Sequence, residues 1–228
     1  MKTKTADIIS IAMMAFVAAL TMYVYPELPE QMPTHWNAQG QVDDYTAKPW
    51  GAIIFPALAL AVFLIMKLIP IISPRGFRTD EFRPVVNIFQ VSLVAFMAGI
   101  GTMTILEALG YPMPVNRLVF AATGLLLIIL GNFMGKVRKN FFLGIRTPWT
   151  LASDEVWSRT HRLGGRMLML GGAVMALSAV IDIPIQLGVS AVVVLALLPV
   201  AYSFVLYRRL EGFGPDAPID DELGSSED

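Results

Sequence analysis

Residues 131–165 read GNFMGKVRKNFFLGIRTPWTLASDEVWSRTHRLGG and form a polar segment between two long apolar runs. A bare connection between neighbouring helices needs only a few residues. This segment instead carries two Trp residues and, counted through Arg166, seven Lys or Arg residues. The pattern therefore indicates membrane helices joined by a loop that has a binding role of its own.

The composition supports a membrane class. Hydrophobic residues make up 55% of the chain and charged residues 15%, whereas roughly a quarter of the residues in soluble proteins are charged. Runs with few or no charges cover residues 8–25, 49–73, 84–106, 118–135, 167–181 and 183–207. Most approach the roughly 20 residues that a helix needs to cross a bilayer. We predict an all-α polytopic membrane protein with six transmembrane helices, the first retained and not cleaved as a signal peptide.

The distribution of Lys and Arg predicts the orientation, because basic residues in short loops mark the cytoplasmic side. One predicted face holds Lys48 and Arg117, and Lys67 lies near the inner end of the second helix. The opposite face holds Lys2, Lys4, Arg75, Arg78, Arg83, Lys136, Arg138, Lys139, Arg146, Arg159, Arg162, Arg166, Arg208 and Arg209. We expect both termini in the cytoplasm, a cytoplasmic-membrane location in contact with the lipid bilayer, and no direct nucleic-acid binding.

Three units are predicted along the chain. Residues 1–73 hold the first two helices and an extracytoplasmic loop at 26–50. Residues 74–210 hold the other four helices and the cytoplasmic loop at 131–165. Residues 211–228, EGFGPDAPIDDELGSSED, are acidic and poor in apolar side chains, so we expect a disordered tail.

The outer loop is rich in proline, which restricts its backbone, and residues 37–40 predict a turn. Three interpretations stay open: a rigid interfacial cap, a divalent-cation site formed by His35 with Glu30, Asp43 and Asp44, and a recognition surface for an extracellular peptide. The spacing is not diagnostic of a metal, and we predict none. The candidate binding residues are His35, Trp36, Asn37, Gly40, Asp43 and Lys48.

The inner loop predicts a short amphipathic helix, with Ser153 as its N-cap and acidic residues in its first turn. One account places this helix in the membrane interface with its Arg residues on anionic headgroups. The other account forms a pocket in which Arg146 and Arg159 or Arg162 hold an anion. The candidate binding residues are Asn132, Lys136, Asn140, Arg146, Thr147, Pro148, Trp149, Trp157, Thr160, His161 and Arg162.

Catalysis is not predicted. The two histidines, His35 and His161, fall on opposite predicted faces, and the chain has no cysteine. It also lacks the HExxH, GxSxG and P-loop motifs of common hydrolase and nucleotide sites. We therefore predict no enzyme, no cofactor and no catalytic residue. The alternative is a membrane enzyme or a protein that binds a small molecule or lipid at the inner Arg/Trp/His cluster.

The outer loop resembles a known family signature. Leu28-Pro29, Pro33, His35-Trp36-Asn37, Gly40, Asp43 and Lys48 follow the pattern LPxxxPxHWNxxGxxDxxxxK of the DUF1648 family of bacterial membrane domains. That domain commonly precedes the SdpI domain.

The inner loop resembles the SdpI family, through the pattern GNxMxKxxxNxFxGIRTPWTLxSxxVWxxTHRxGG beginning at Gly131. This resemblance implies an integral membrane immunity or signalling protein. It implies two partners: a secreted peptide toxin outside the cell, against which such a protein protects, and an ArsR-like transcriptional repressor held at the membrane on the inside.

Overall fold

A computed structural model describes residues 1–37, 41–75, 77, 79–181 and 184–213. Of these residues, 76% are helical. The helices are α1 (Thr3–Val24), α2 (Lys48–Ile72), α3 (Arg83–Ala108), α4 (Val115–Met134), α5 (Pro148–Ala152), α6 (Asp154–Ser178) and α7 (Ile185–Leu210). Short 3-10 turns at Tyr25–Glu27 and Thr79–Phe82 follow α1 and precede α3. Most of the tail predicted at 211–228 lies outside the described residues.

The outer loop contains a β-hairpin, so the all-α prediction is wrong there. Strand β1 (Gln31–Trp36) pairs antiparallel with β2 (Val42–Ala47), and its register is irregular between Pro33 and Trp36. Pro33 has no N–H to donate to the ladder, which accounts for an irregular pairing at that point. Asn37 closes the described part of the hairpin by donating its N–H to the Gln41 carbonyl. The rest of the turn predicted at 37–40 lies outside the described residues.

Within the described residues, five helical segments are long and apolar enough to cross a membrane: Thr3–Glu27, Lys48–Ile72, Thr79–Ala108, Val115–Met134 and Gln186–Leu210. Their exposed surfaces carry many large apolar side chains, as lipid contact requires. The sixth predicted span, 167–181, lies mostly in α6, which is not among the five. Charged residues in the first half of α6 lower its apolar character, and these include Arg159, Arg162 and Arg166.

The helices pack as two groups. Both α1 and α2 pack against α3, whereas α6 packs along both α4 and α7. The packing between α3 and α4 is less extensive. The unit boundary predicted at residue 73 would place α3 in a different unit from α1 and α2, the two helices that it mainly contacts.

Glycine allows α4 and α6 to approach closely. A Cβ added at Gly131 would lie 2.6 Å from the Gly165 carbonyl oxygen, and one added at Gly124 would lie 2.5 Å from the Gly172 carbonyl oxygen. Each pair is seven residues from the next along both helices, so the backbones stay in contact over about 10 Å. Small residues permit such contacts where lipid gives no hydrophobic drive for association.

The short amphipathic helix predicted in the inner loop is absent as a separate element. Ser153 caps a helix start, accepting a hydrogen bond from the Val156 N–H at 3.3 Å, but that helix continues without a break to Ser178. Gly164 and Gly165 do not interrupt it. Because these residues lack side chains, Ile145 packs closely against α6 at Gly164, and α4 does so at Gly165. The inner loop is therefore shorter than 131–165 and runs between the end of α4 and Asp154.

Candidate functional site

Met32 anchors the outer hairpin to the helices. Met32 on β1 is fully buried, in a cluster with Val24, Leu28, Ala52 and Ile105. A Cβ added at Gly51 would lie 2.8 Å from Met32 Cβ, so glycine at the start of α2 makes room for the hairpin. The hairpin is thus fixed against the C-terminal ends of α1 and α3 and the N-terminal end of α2.

The predicted outer residues separate into exposed and anchoring groups. His35 Nδ1 and Asp43 Oδ1 lie 2.5 Å apart on the exposed hairpin surface. Lys48 donates its backbone N–H to the Glu30 carbonyl and places its ammonium 4.9 Å from the centre of the Tyr25 ring. The Trp36 indole nitrogen is buried and has no hydrogen-bond partner within the described residues. Gly40 lies outside the described residues.

The metal alternative receives no geometric support in the described part of the chain. No group of three or more His, Asp or Glu side chains there is arranged to hold an ion. His35 contacts Asp43, whereas the Asp44 carboxylate accepts a hydrogen bond from the N–H of the next residue, Tyr45, at 2.8 Å. The hairpin instead presents aromatic surface, with Tyr45 55% exposed and Trp50 71% exposed at its base.

Asn140 shapes the inner loop. Its side chain is fully buried and accepts from the N–H groups of Phe142 and Leu143 at 2.8 and 2.7 Å. It donates to the carbonyls of Arg138 and Leu143 at 2.8 and 3.0 Å. These four bonds use the full donor and acceptor capacity of an amide. Asn140 therefore serves the loop backbone and has no capacity left for a ligand.

His161 holds the next part of the same loop. Its Nδ1–H donates to the Trp157 carbonyl at 2.8 Å, and its Nε2 accepts from the Ile145 N–H at 3.0 Å. This pattern requires the neutral imidazole, since a protonated ring has no nitrogen that can accept. Both nitrogens are occupied, so His161 is not available as a general acid or base.

The environment of His161 keeps it neutral. It precedes the apolar stretch of α6 and is fully buried. Burial lowers the pKa of His161 from 6.5 to about 4, although the bond to the Trp157 carbonyl acts in the opposite direction. Desolvation disfavours the charged form of a buried base.

Trp157 connects the inner loop to the first group of helices. Its ring stacks on His161 with centroids 4.0 Å apart, and its indole N–H donates to the Val137 carbonyl at 2.8 Å. It also belongs to a buried cluster with residues of α2, of α3 and of the turn that precedes α3: Met66, Ile69, Phe82, Val85, Val86 and Phe89. One aromatic side chain therefore contacts the loop, its own helix and the opposite half of the molecule.

The TPWT segment forms a capped turn docked on α7. Thr147 is the N-cap of α5, and its hydroxyl and that of Thr150 each accept from the other's backbone N–H in a capping box. Pro148 occupies the first helical position, where its missing N–H costs nothing. Thr147 Oγ1 lies 3.0 Å from Ser203 Oγ on α7, and the Trp149 ring meets Phe204 edge-on at 5.0 Å.

The remaining predicted inner residues do not form one pocket. Arg146 is exposed and donates to the Phe141 carbonyl. Thr160 is fully buried, and its hydroxyl has no partner among the described residues. Asn132 and Arg162 are exposed on α4 and α6. The structure thus places the predicted anion-binding arginines apart from the buried Trp157 and His161 rings.

A cavity of about 680 Å³ opens beside Trp157, between the turn that precedes α3 and the inner loop. Both helix groups contribute to its lining. Its charged lining residues are Glu81, Lys136, Arg138, Lys139 and Asp154. Lys139 and Asp154 form an ion pair across part of this rim. Lys136 is the predicted candidate residue that lines the cavity together with Trp157.

A polar network between α1, α2 and α3 was not predicted. Lys67 Nζ donates to Asp7 at 2.8 Å, and the buried Gln90 donates to Asp7 and to Ser10, each at 3.2 Å. The isolated polar residues within apolar runs were the available signal in the sequence. Their partners lie 60 to 83 residues away, a separation at which spacing carries no pairing information.

We predict that Gly144→Ala destabilises the protein more than Gly110→Ala does. Both glycines have positive φ, +107° and +85°, so both alanines incur backbone strain. At Gly144 the added Cβ would also lie 2.2 Å from His161 Nε2, whereas nothing lies within 4 Å at Gly110. Overpacking adds about 1–3 kcal/mol to the destabilisation. Thermal unfolding in detergent checks this, and equal midpoints for the two variants would contradict it.

Comparisons with known proteins agree with the two loop motifs. Residues 12–60 match the family model "Domain of unknown function (DUF1648)", and residues 136–207 match that of the SdpI/YfhL protein family. The chain is 26% identical over 214 residues to Immunity protein SdpI of Bacillus subtilis (strain 168), covering 93% of this chain and 99% of that protein. No solved structure matches significantly. None of these descriptions names a catalytic activity. The resemblance is confirmed: in this multi-pass membrane protein, residues 12–60 are similar to DUF1648 and residues 136–207 are similar to the SdpI/YfhL family.

Proposed function

We propose that α6 is a sixth transmembrane helix and that both termini lie in the cytoplasm. The Gly131–Gly165 and Gly124–Gly172 contacts make α6 antiparallel to α4, which is itself a candidate span. On its other side α6 meets α7, where a Cβ at Gly188 would lie 2.8 Å from Ser178 Oγ. A helix held between two spans lies at the same depth as both. Its arginines then fall at the inner end, in keeping with the basic inner face.

Single-cysteine labelling tests this topology, because the natural chain has no cysteine to interfere. Tyr45→Cys and Val180→Cys are expected to react with an impermeant maleimide in intact cells. Ala152→Cys and Phe213→Cys should react only after permeabilisation. All four side chains are exposed. If Val180→Cys behaves like Ala152→Cys, α6 does not cross the membrane.

We infer that the protein confers immunity to a secreted peptide toxin in the manner of the SdpI family. The observation that carries this proposal is the similarity to an immunity protein over 93% of the chain, a span that includes both ordered loops. The outer hairpin offers a suitable contact surface, since it is fixed by Met32 and exposes His35, Asp43 and Tyr45, with Trp50 exposed beside it at the start of α2. Side chains on a rigid loop are well placed for recognition.

On the inner face, we propose that the 680 Å³ cavity is the docking site of an ArsR-like repressor, the partner class implied by the family resemblance. Lys136 and Arg138 supply basic groups on its rim, and Glu81 supplies an acidic group from the opposite half. Because both helix groups contribute to the lining, a shift of one group against the other would change the cavity. Toxin contact outside would be transmitted to the repressor through such a shift.

Loss of the protein should sensitise cells to a peptide made by the same organism or its neighbours. Complementation with His35→Ala/Asp43→Ala is expected to raise sensitivity by about tenfold, equivalent to about 1.4 kcal/mol of lost contact. The matched inner variant Lys136→Gln/Arg138→Gln should keep resistance and lose co-purification of the repressor. Survival assays at equal membrane expression measure the first effect. The immunity proposal fails if no such peptide distinguishes the deletion from wild type.

A further inference from the structure

A second cavity, of about 220 Å³, lies between α6 and α7 beside the inner loop. Arg159, Arg162, Leu163 and Arg166 line it from α6, and Tyr202 lines it from α7. The three arginines are spaced by three and four residues, which brings them onto one face of the helix. The Arg162 stem rests near the end of α4, since a Cβ at Gly135 would lie 3.3 Å from Arg162 Cγ.

The charges in this cavity are only partly neutralised. Arg159 donates to Glu155 one turn away. Within the part of the chain that the structure describes, neither Arg162 nor Arg166 forms an ion pair. Two like charges four residues apart on a helix repel each other. An anion placed between them would remove that repulsion and accept hydrogen bonds from both guanidinium groups.

The position of the cavity indicates where the anion comes from. Arg166 directly precedes the apolar half of α6, and Tyr202 is half-buried on α7, six residues before Arg208. Tyrosine and arginine in such positions mark the boundary between the hydrocarbon core and the headgroups. The cavity is also smaller than the roughly 300–1,000 Å³ typical of sites for drug-sized ligands. A phosphate with its glycerol suits this space better than a nucleotide does.

We propose that Arg162, Arg166 and Tyr202 bind the phosphodiester headgroup of an anionic phospholipid such as phosphatidylglycerol. The guanidinium groups hold the phosphate oxygens in two-point contacts, and the Tyr202 hydroxyl donates a further hydrogen bond. The bound lipid fastens α6 to α7 next to the Thr147–Ser203 contact. This site rests on the proposed six-helix topology and is independent of any toxin or repressor.

Lipid-dependent thermal unfolding and native mass spectrometry of the full chain in detergent test the site. Added phosphatidylglycerol should raise the wild-type unfolding midpoint more than phosphatidylcholine does. Arg162→Gln/Arg166→Gln should weaken phosphatidylglycerol binding by at least about tenfold, the equivalent of one charge-assisted contact. Tyr202→Phe should weaken it less. The matched control, Arg208→Gln/Arg209→Gln, removes the same charge from the inner end of α7 and should bind as wild type does.

Three outcomes would overturn the proposal. Equal losses in the two double-arginine variants would mean nonspecific attraction to basic helix ends. Equal stabilisation by glycerol phosphate would make the site one for a soluble anion. If phosphatidylglycerol stabilises the protein more than phosphatidylcholine only in a chain ending at residue 213, the acidic tail occupies the cavity in the full chain. Each result can be separated from a failure of the topology, which the cysteine labelling reports by itself.

Discussion

The buried Trp157 side chain is the contact on which the inner half of the structure depends. Its indole N–H donates to the Val137 carbonyl, its ring stacks on His161, and its side chain belongs to a buried core that includes residues of α2 and α3. His161 in turn fixes the Ile145 N–H. The helix groups meet less extensively between α3 and α4, and Trp157 belongs, with Val137, to the buried core that joins them. The loop is ordered by the same packing that joins the two groups.

This arrangement separates structural polar groups from binding groups. Asn140 and His161 use their hydrogen-bonding capacity on the loop backbone, as buried polar groups must when no water is available. The charged side chains Arg146 and Arg162 stay exposed at the surface. A loop built in this way is rigid and presents basic groups, which suits binding to a protein or a headgroup and leaves no free imidazole for proton transfer.

Local sequence signals predicted the features that depend on neighbours in the chain. The Ser153 cap and five of the spans follow from composition and spacing within a few residues. The hairpin was missed because β1 is short and contains Pro33. The continuity of α6 through Gly164 and Gly165 was missed because the role of these glycines is visible only in the structure, where the inner loop and α4 pack closely against them. Asn140, Trp157 and His161 were recognised as candidates, but the loop contacts of the last two span 16 to 20 residues.

Hydrogen–deuterium exchange in wild type, Trp157→Ala and Trp149→Ala tests most directly whether Trp157 joins the helix groups. Trp149 is the matched control, since its ring contacts Phe204 on α7. The account predicts that Trp157→Ala speeds exchange at residues 137–145 and also at residues 82–89 at the start of α3, whereas Trp149→Ala leaves residues 82–89 unchanged. Faster exchange confined to the inner loop and α6 in Trp157→Ala would contradict it.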